Sequence, residues 1–583
     1  MMRTDLLLVF TARARVKVRH ATTLMITGVF IAVFILPILA GLLGTLLPAF
    51  NYLPALGEDA FSLKPVLGLW QHPSTLAATY LSLQVGWLST FLSVVIALLL
   101  FAHFYQQPRW PWLTLSLSPI LAVPHAALAV GLSFLIAPSG WLVRLVSPEL
   151  TGFDYPPNWQ TTQDPQGLSL VLLMVLKEVP FLLLMLISAA KQVPIQASLT
   201  LAQSMGYTRA TAWLKLIFPQ LLGQLRLPIS AVLAWSLSAV DVSLILGPST
   251  PPTLSVLVLS WFNDADITLR LQGAAGALWL LFINLGSIGL MLGLARFAYR
   301  GGLHWFCNGK RSTALARLNH FASAITWLFI LAISLSFIVL VLWSMSAQWR
   351  FPDSLPSLWQ LSHWQSSWDT FLPLIKHSIM LGAASCVIAI VLSLIILEIE
   401  AQHGTRLTFW QPLRWLPLFY VPLLIPDTSY LFGIQVSLIY LQWDGWFVAL
   451  LWGHLMYVLP YTFLSIAPYY RRYNQAYWQQ ALLLCKSPWR SYFWVKLPML
   501  LPAILASVAI GFSVSIMLYL PTLFIGAGRY PTLATELVAL VAGADRRLIA
   551  VCALILQTLP MLVFLTALSL PKWLFRHRLG MLD

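Results

Sequence analysis

Apolar residues in this chain gather into runs of about 20, the length of helix that crosses the hydrocarbon core of a bilayer. Six runs begin near Thr22, Thr79, Pro111, Leu168, Leu227 and Leu271, and six more near Ala322, Lys376, Leu413, Trp446, Leu501 and Leu548. The pattern predicts an all-α integral membrane protein with about twelve transmembrane helices in two sets of six. The N-terminal stretch MMRTDLLLVFTARARVKVRH has no small-residue cleavage site after its first short apolar run. Because the next run is long enough to span, the segment reads as an uncleaved anchor.

The polar segments between the runs repeat as well. Shifting the chain on itself so that Pro219 falls on Pro498 also brings Gly247 onto Gly526, Ser236 onto Ser515 and Pro252-Thr253-Leu254 onto Pro531-Thr532-Leu533, all without a gap. Earlier in each half, Pro124 and Gly131 share their spacing with Pro426 and Gly433, and Ser82 and Gly86 share theirs with Ser378 and Gly382. The expected organisation is residues 1–300 as a first six-helix half carrying the N-terminal anchor and 301–583 as a second. The basic stretch Arg296 to Arg317, with adjacent glycines at 301 and 302, is the expected linker. With an even number of spans in each half, a duplication is parallel, about an axis along the membrane normal.

Charge adds a direction. Of the 34 Lys and Arg residues, 25 fall on the side of the N-terminus, eight on the other side, and Lys177 lies within a run. The positive-inside rule puts both termini in the cytoplasm. Composition agrees with the membrane reading, at 59% hydrophobic and 9% charged. The net charge of +15 is carried mainly between apolar runs, where it sets topology, so nucleic acid is not an expected partner. Cys307, Cys386, Cys485 and Cys552 are far apart and show no metal-ligand spacing, and the eleven histidines are dispersed. No metal site, cofactor site or catalytic motif is expected, and nothing resembles a phosphate-binding loop for ATP.

Two segments between the fourth and fifth runs of each half stand apart. QSMGYTRATAWLKLIFPQLL, from Gln203, joins two short helical stretches through Gly206, and its tryptophan and leucine, Trp213 and Leu216, suit one side of an amphipathic run lying on lipid headgroups. QQALLLCKSPWRSYFWVKLPML, from Gln479, has Ser487-Pro488 as its breaker, and each segment ends in a Pro that opens the next helix. This pattern resembles the E-A-A-x3-G-x9-I-x-L-P loop of permease subunits of bacterial binding-protein-dependent ABC importers. It maps onto Thr200, Leu201, Ala202, Gly206, Leu216, Phe218 and Pro219, and onto Gln479, Gln480, Ala481, Cys485, Val495, Leu497 and Pro498. Neither loop keeps the acidic residue, and the second replaces the Gly, leaving Pro488 to supply the turn.

The resemblance covers roughly Pro73 to Arg300 and Trp368 to Arg576, in the fused arrangement of ferric-iron and thiamine uptake permeases. It implies a whole translocation pathway in one chain of the inner membrane, with ATP bound and hydrolysed by a separate cytoplasmic ATPase, in two copies. It also implies that both loops dock on that ATPase and that a periplasmic solute-binding protein delivers substrate. The rival readings are a secondary transporter driven by an ion gradient and, less favoured, a membrane-embedded enzyme.

Ionisable residues inside apolar runs are candidates for the path by default. Lys177 and Glu178 lie in the fourth run; either serves the path, or Lys177 snorkels or pairs with another helix. Asp241, in the fifth, aligns with Leu520 and is either a pore residue of one half or a packing hydrogen bond. Asp427 follows Pro426 as His125 follows Pro124, either lining a broken helix or capping the carbonyl a proline frees. The many tryptophans and tyrosines suit interfacial belts. The outer loop Ala137 to Gly167 has no equal in the second half, and is either an orienting contact for a docked protein or a tolerated insertion.

Overall fold

A computed structural model describes residues 28, 31–105, 107–108, 110, 120–311, 318–403 and 419–576. Helices dominate: α1 (Leu36–Ala49), α2 (Thr75–Phe104), α3 (His125–Ile136), α4 (Leu168–Ala190), α5 (Arg226–Ser238) and α6 (Leu269–Cys307), then α7 (Leu318–Ser344), α8 (Trp368–His403), α9 (Thr428–Tyr440), α10 (Phe447–Arg472), α11 (Leu497–Met517) and α12 (Arg546–Leu574). Among the described residues ten helices are long and apolar enough to cross a membrane, or eleven if one bent pair counts as a span. That pair is the fifth expected run, broken by 68° between Arg209–Gln224 and Arg226–Ser238. The runs expected from Thr22, Pro111 and Leu413 begin outside the described residues, and α9 has 13 residues. The fold is thus an all-α membrane bundle, its two short strands, Ser346–Gln348 and Leu358–Trp359, forming one small hairpin.

Close approach of helices explains where the small residues sit. In lipid, backbones pack tightly where side chains are small. Along α2, Ser82, Gly86, Ser89 and Ser93 share a buried stripe, as do Ser378, Gly382, Ser385 and Ala389 along α8. A Cβ on Gly86 would lie 2.5 Å from Leu237 of α5, and one on Gly382 2.9 Å from Phe512 of α11. The first helix of each sequence half packs against the other half. α1 crosses α9 at Gly41, Gly44 and Gly433, and α7 crosses α3 where Gly131 meets Ser336.

The Pro-Thr-Leu segments each start a short buried helix, Leu254–Phe262 and Leu533–Val541. The first N–H groups of a helix have no partner within it, and the bilayer offers none. Here the Leu254 N–H donates to Ser82 Oγ at 2.8 Å and the Leu533 N–H to Ser378 Oγ at 3.0 Å, the same bond at matching positions. Ser82→Ala or Ser378→Ala is expected to cost about 1–2 kcal/mol, read as a lower melting temperature in detergent. Ser93, whose hydroxyl is buried without a partner among the described residues, is the control: its alanine variant should melt no lower.

The expected linker differs from its sequence reading in one respect. Gly301 and Gly302 lie within α6, which runs unbroken to Cys307, and the chain turns only at Asn308 and Gly309, where φ is +69°. At 39 residues α6 is about 58 Å long, well beyond the ~30 Å apolar core, so its end stands clear of the lipid. Residues 312–317 of the linker lie outside the described part.

Candidate functional site: paired loops and a buried polar cluster

The two loops are built alike from local rules. In the first, helix Ile195–Ser204 ends at Gly206, whose φ of +82° is the left-handed conformation glycine adopts without strain. Thr208 then caps helix Arg209–Ala212 by accepting from the Thr211 N–H. In the second, helix Gln475–Cys485 ends at Lys486, with φ of 49°, and Ser487 caps the next helix by accepting from the Arg490 N–H. Pro488 therefore opens the following helix, and the turn assigned to it is made by Lys486. The shift that lays Pro219 on Pro498 also lays Thr208 on Ser487.

Each loop next passes through a π-helical turn, Trp213–Ile217 and Tyr492–Lys496. The Phe218 N–H reaches back to Trp213 O and the Leu497 N–H to Tyr492 O. A proline cannot donate to the carbonyl four residues before it and crowds that carbonyl. Widening the helix just ahead of Pro219 and Pro498 accommodates both. The wider turn also rotates the side chains. Trp213 is buried against Phe101, Tyr105 and Phe218 while Leu216 is exposed, so the two do not share a side as the sequence suggested.

Ala202 and Ala481 are buried where each helix meets the body, Gly206 is exposed, and Cys485, Val495, Pro219 and Pro498 are half-buried. A lysine in each π turn fixes the loop, in different ways. Lys215 Nζ donates to Asn308 Oδ1 at 2.6 Å and to Lys310 O at 3.1 Å, and sits 5.0 Å from the Trp305 ring. With Thr208 N–H donating to Arg311 O, the connection after α6 is strapped onto the first loop. Lys496, 1% exposed, instead pairs with Glu398 Oε2 of α8 at 2.6 Å, beneath the rings of Tyr470, Tyr473, Trp478 and Tyr492. The second loop presents Leu483, Leu484, Trp489 and Trp494 to the outside.

Within the bundle, Asp427, just before α9, meets α10 directly, while Lys177 and Glu178 lie in α4 and Asp241 opens the short helix Asp241–Leu246. Asp427 Oδ1 accepts from Tyr457 Oη at 2.8 Å, and Tyr430, in a short contact with Tyr457, lies 3.5 Å from the same oxygen. Asp241 is close enough to Asp427 and Tyr519 to act on both electrostatically, and Tyr461 stands in the same relation to Glu178 and Asp427. Lys177 Nζ donates to Val123 O at 2.6 Å and approaches Ile120 O at 3.5 Å. Ile120 O is the carbonyl that Pro124, having no N–H, cannot serve. Beside Pro124, Lys177 of α4 thus supplies the donor to the freed carbonyl, rather than the neighbouring His125. Tyr430, Tyr457 and Tyr461 were missed in the sequence, although Tyr457 and Tyr461 are four residues apart on one helix face beside Pro460.

The outer loop is tied down. Arg144 is buried under Trp343, Trp349 and Phe351 and donates to Arg350 O at 2.7 Å, and Trp141 Nε1 donates to Ser354 O at 2.9 Å. Arg546 reaches the same loop at Ser139 Oγ, 3.1 Å away. The loop therefore staples the first sequence half to the second on the face opposite the paired loops.

Compared with known proteins, the chain is 30% identical over 545 residues to the inner membrane ABC transporter permease protein YnjC of Escherichia coli K12, a match covering 91% of this chain and 96% of that one. The chain belongs to the ABC transporter permeases. The permease is also 25% identical over 254 residues to the putative 2-aminoethylphosphonate transport system permease protein PhnV of Salmonella choleraesuis, across 42% of this chain and 92% of that one. The protein of the same name from Salmonella typhimurium is 27% identical over 195 residues, 32% of this chain and 70% of its own length. No protein-family profile matches the chain. A permease is a transport component, and this one is transmembrane through its apolar helices.

Proposed function

We propose that the permease forms a complete import pathway from two parallel halves, near 1–300 and 301–583, and that its paired loops dock on a separate cytoplasmic ATPase in two copies. Both termini are cytoplasmic in this reading, and a solute-binding protein delivers substrate to the opposite face. The observation that carries it is a construction that occurs twice: a left-handed turn, one residue later in the second loop, and then a Ser or Thr cap, a π turn and a proline at positions one shift of the chain aligns. A device whose only task was to lie on headgroups would need neither the matched caps nor the matched positions. Paired levers suit paired nucleotide-driven subunits, which would rock the halves between inward and outward openings. The match of a permease less than half this length, over nearly all of itself, supports the division into halves.

One relative is named for transport of 2-aminoethylphosphonate, a small molecule with an amine and an anionic group. For the present permease the passenger is a small solute. The test is co-purification from detergent with candidate ABC ATPases co-expressed with the chain, comparing the intact chain with the double variant Gly206→Asp, Pro498→Asp. Loss of the ATPase from a variant that still elutes as a monodisperse species is expected. Retention by that variant, or no ATPase on the intact chain, would remove the coupling role and favour an ion-gradient transporter.

A further inference from the structure

The first loop is bound to a helix that reaches the other half. Lys215 Nζ donates to Asn308 Oδ1 and Lys310 O, the Thr208 N–H donates to Arg311 O at 3.1 Å, and Trp305, in the last turn of α6, covers the Lys215 ammonium. The loop and the adjoining end of α6 are therefore one unit. α6 contains no proline and runs unbroken for 39 residues, so its turns are hydrogen-bonded along its length and it can carry a displacement along its axis.

Within the bundle α6 meets the break that precedes α9, in the second half. The helix before that break ends at Leu424, whose carbonyl is among those a helix end leaves without an internal partner. α6 holds the break on both sides: Asn284 Nδ2 donates to Leu424 O at 3.3 Å, and Ser429 Oγ donates to Ala277 O at 2.8 Å. Ala277 and Asn284 lie two turns apart on one face of α6. The seam is not fully bonded in this arrangement. Asn284 Oδ1 and Thr428 Oγ1 are buried in it without a partner among the described residues. Unpaired polar groups at a buried seam store strain, which a shift of α6 against α9 would redistribute. The lysine of the second loop, Lys496, is tied elsewhere, to Glu398 of α8.

We propose that α6 is a connecting rod, which carries the displacement of the first loop through its strap to the break at Pro426 and Asp427 in the other half. This rests on the coupling reading above and adds to it the route by which one loop acts across the two halves. Asp427 accepts from Tyr457 of α10 at 2.8 Å, so a shift of the break also changes how α9 sits against α10.

The experiment follows amide hydrogen exchange in the full chain bound to its co-purifying ATPase in phosphatidylcholine nanodiscs, with and without a non-hydrolysable ATP analogue. In the intact complex the analogue is expected to change the exchange rate across residues 424–431 by at least about fivefold, the lower end of ordinary allosteric coupling. Two variants cut the rod at opposite ends. Lys215→Met with Asn308→Ala releases the strap, and Asn284→Leu with Ser429→Ala releases the seam; each should abolish the response at 424–431. Lys496→Met with Glu398→Gln, which frees the second loop from α8, should leave it in place. ATPase retention is measured on every preparation. The seam variant touches neither loop, so loss of its response with the ATPase still bound is not a docking defect and supports the rod. A response that survives in the seam variant, one that is absent from the intact complex, or one lost equally in the Lys496 variant overturns the rod and leaves the coupling reading standing. An intact chain that binds no ATPase overturns both.

Discussion

Gly433→Ala is expected to prevent α1 from seating on α9, whereas Gly286→Ala, the same change on α6, should leave the permease as stable or slightly more so. The two glycines differ in what a methyl group would meet. At Gly433 a Cβ would lie 1.9 Å from the carbonyl oxygen of Gly41 and 2.8 Å from the carbonyl carbon of Gly44, both backbone atoms that cannot rotate away. At Gly286 nothing lies within 4 Å. Thr45 adds to the first site, accepting from the Gly433 N–H at 3.2 Å while donating to Gly41 O at 3.0 Å, so separating the helices also strands polar groups. Overpacking typically costs about 1–3 kcal/mol, and backbone against backbone belongs at or above about 3 kcal/mol. In an open helix position, alanine gains up to about 1 kcal/mol over glycine. Thermal unfolding of the detergent-solubilised variants checks both signs. A Gly433→Ala variant that melts with the intact chain would show that α1 and α9 do not meet as described.

That contact shows what a linear reading can and cannot supply. Gly433 is visible as one of a spaced Pro-Gly pair, and its recurrence with Gly131 is legible. The identity of its partner, Gly41 near the other end of the chain, is not, because hydropathy marks which segments enter the membrane and says nothing of which neighbour each meets. The same limit governs the polar cluster. Lys177, Glu178, Asp241 and Asp427 stand out because a charge inside an apolar run is rare. Tyr430, Tyr457 and Tyr461 do not, because tyrosines also populate the interfacial belts in number. The loops were legible from their breakers and terminal prolines. Their π turns were not, since a one-residue widening leaves no compositional mark, and it reversed the expected placement of Trp213 and Leu216. Gly301 and Gly302 misled in the opposite direction: a helix long enough to protrude from the membrane tolerates two glycines at a modest cost each.

Lys496→Met is expected to cost about 3 kcal/mol, and the double variant Lys496→Met, Glu398→Gln to recover most of it. Removing one member of a buried pair leaves the other charged and without compensation, which typically costs about 3–5 kcal/mol. The lower end applies here because the Glu398 side chain retains 19% of its exposure and can draw in water. Tyr470 also donates to the same oxygen, which softens the loss but cannot replace a full charge. Neutralising Glu398 as well removes the unpaired charge, and the amide oxygen can still accept from Tyr470. The equivalent test on the first loop, Lys215→Met, should cost only about 1 kcal/mol, since its partners are an amide and a backbone carbonyl, neither of which is left charged. A double-mutant cycle in urea or by thermal melting measures the coupling directly. If Lys496→Met melts with the intact chain, the pair carries no stability. If the single and double variants fall together, the loss comes from the aromatic cage around the lysine. The expected ranking, a large loss at Lys496 and a small one at Lys215, would mean that the second loop is bound rigidly to α8 and the first is held by its strap from α6. A pull on the second loop would then pass straight into the helix that bears Ser378 and Gly382.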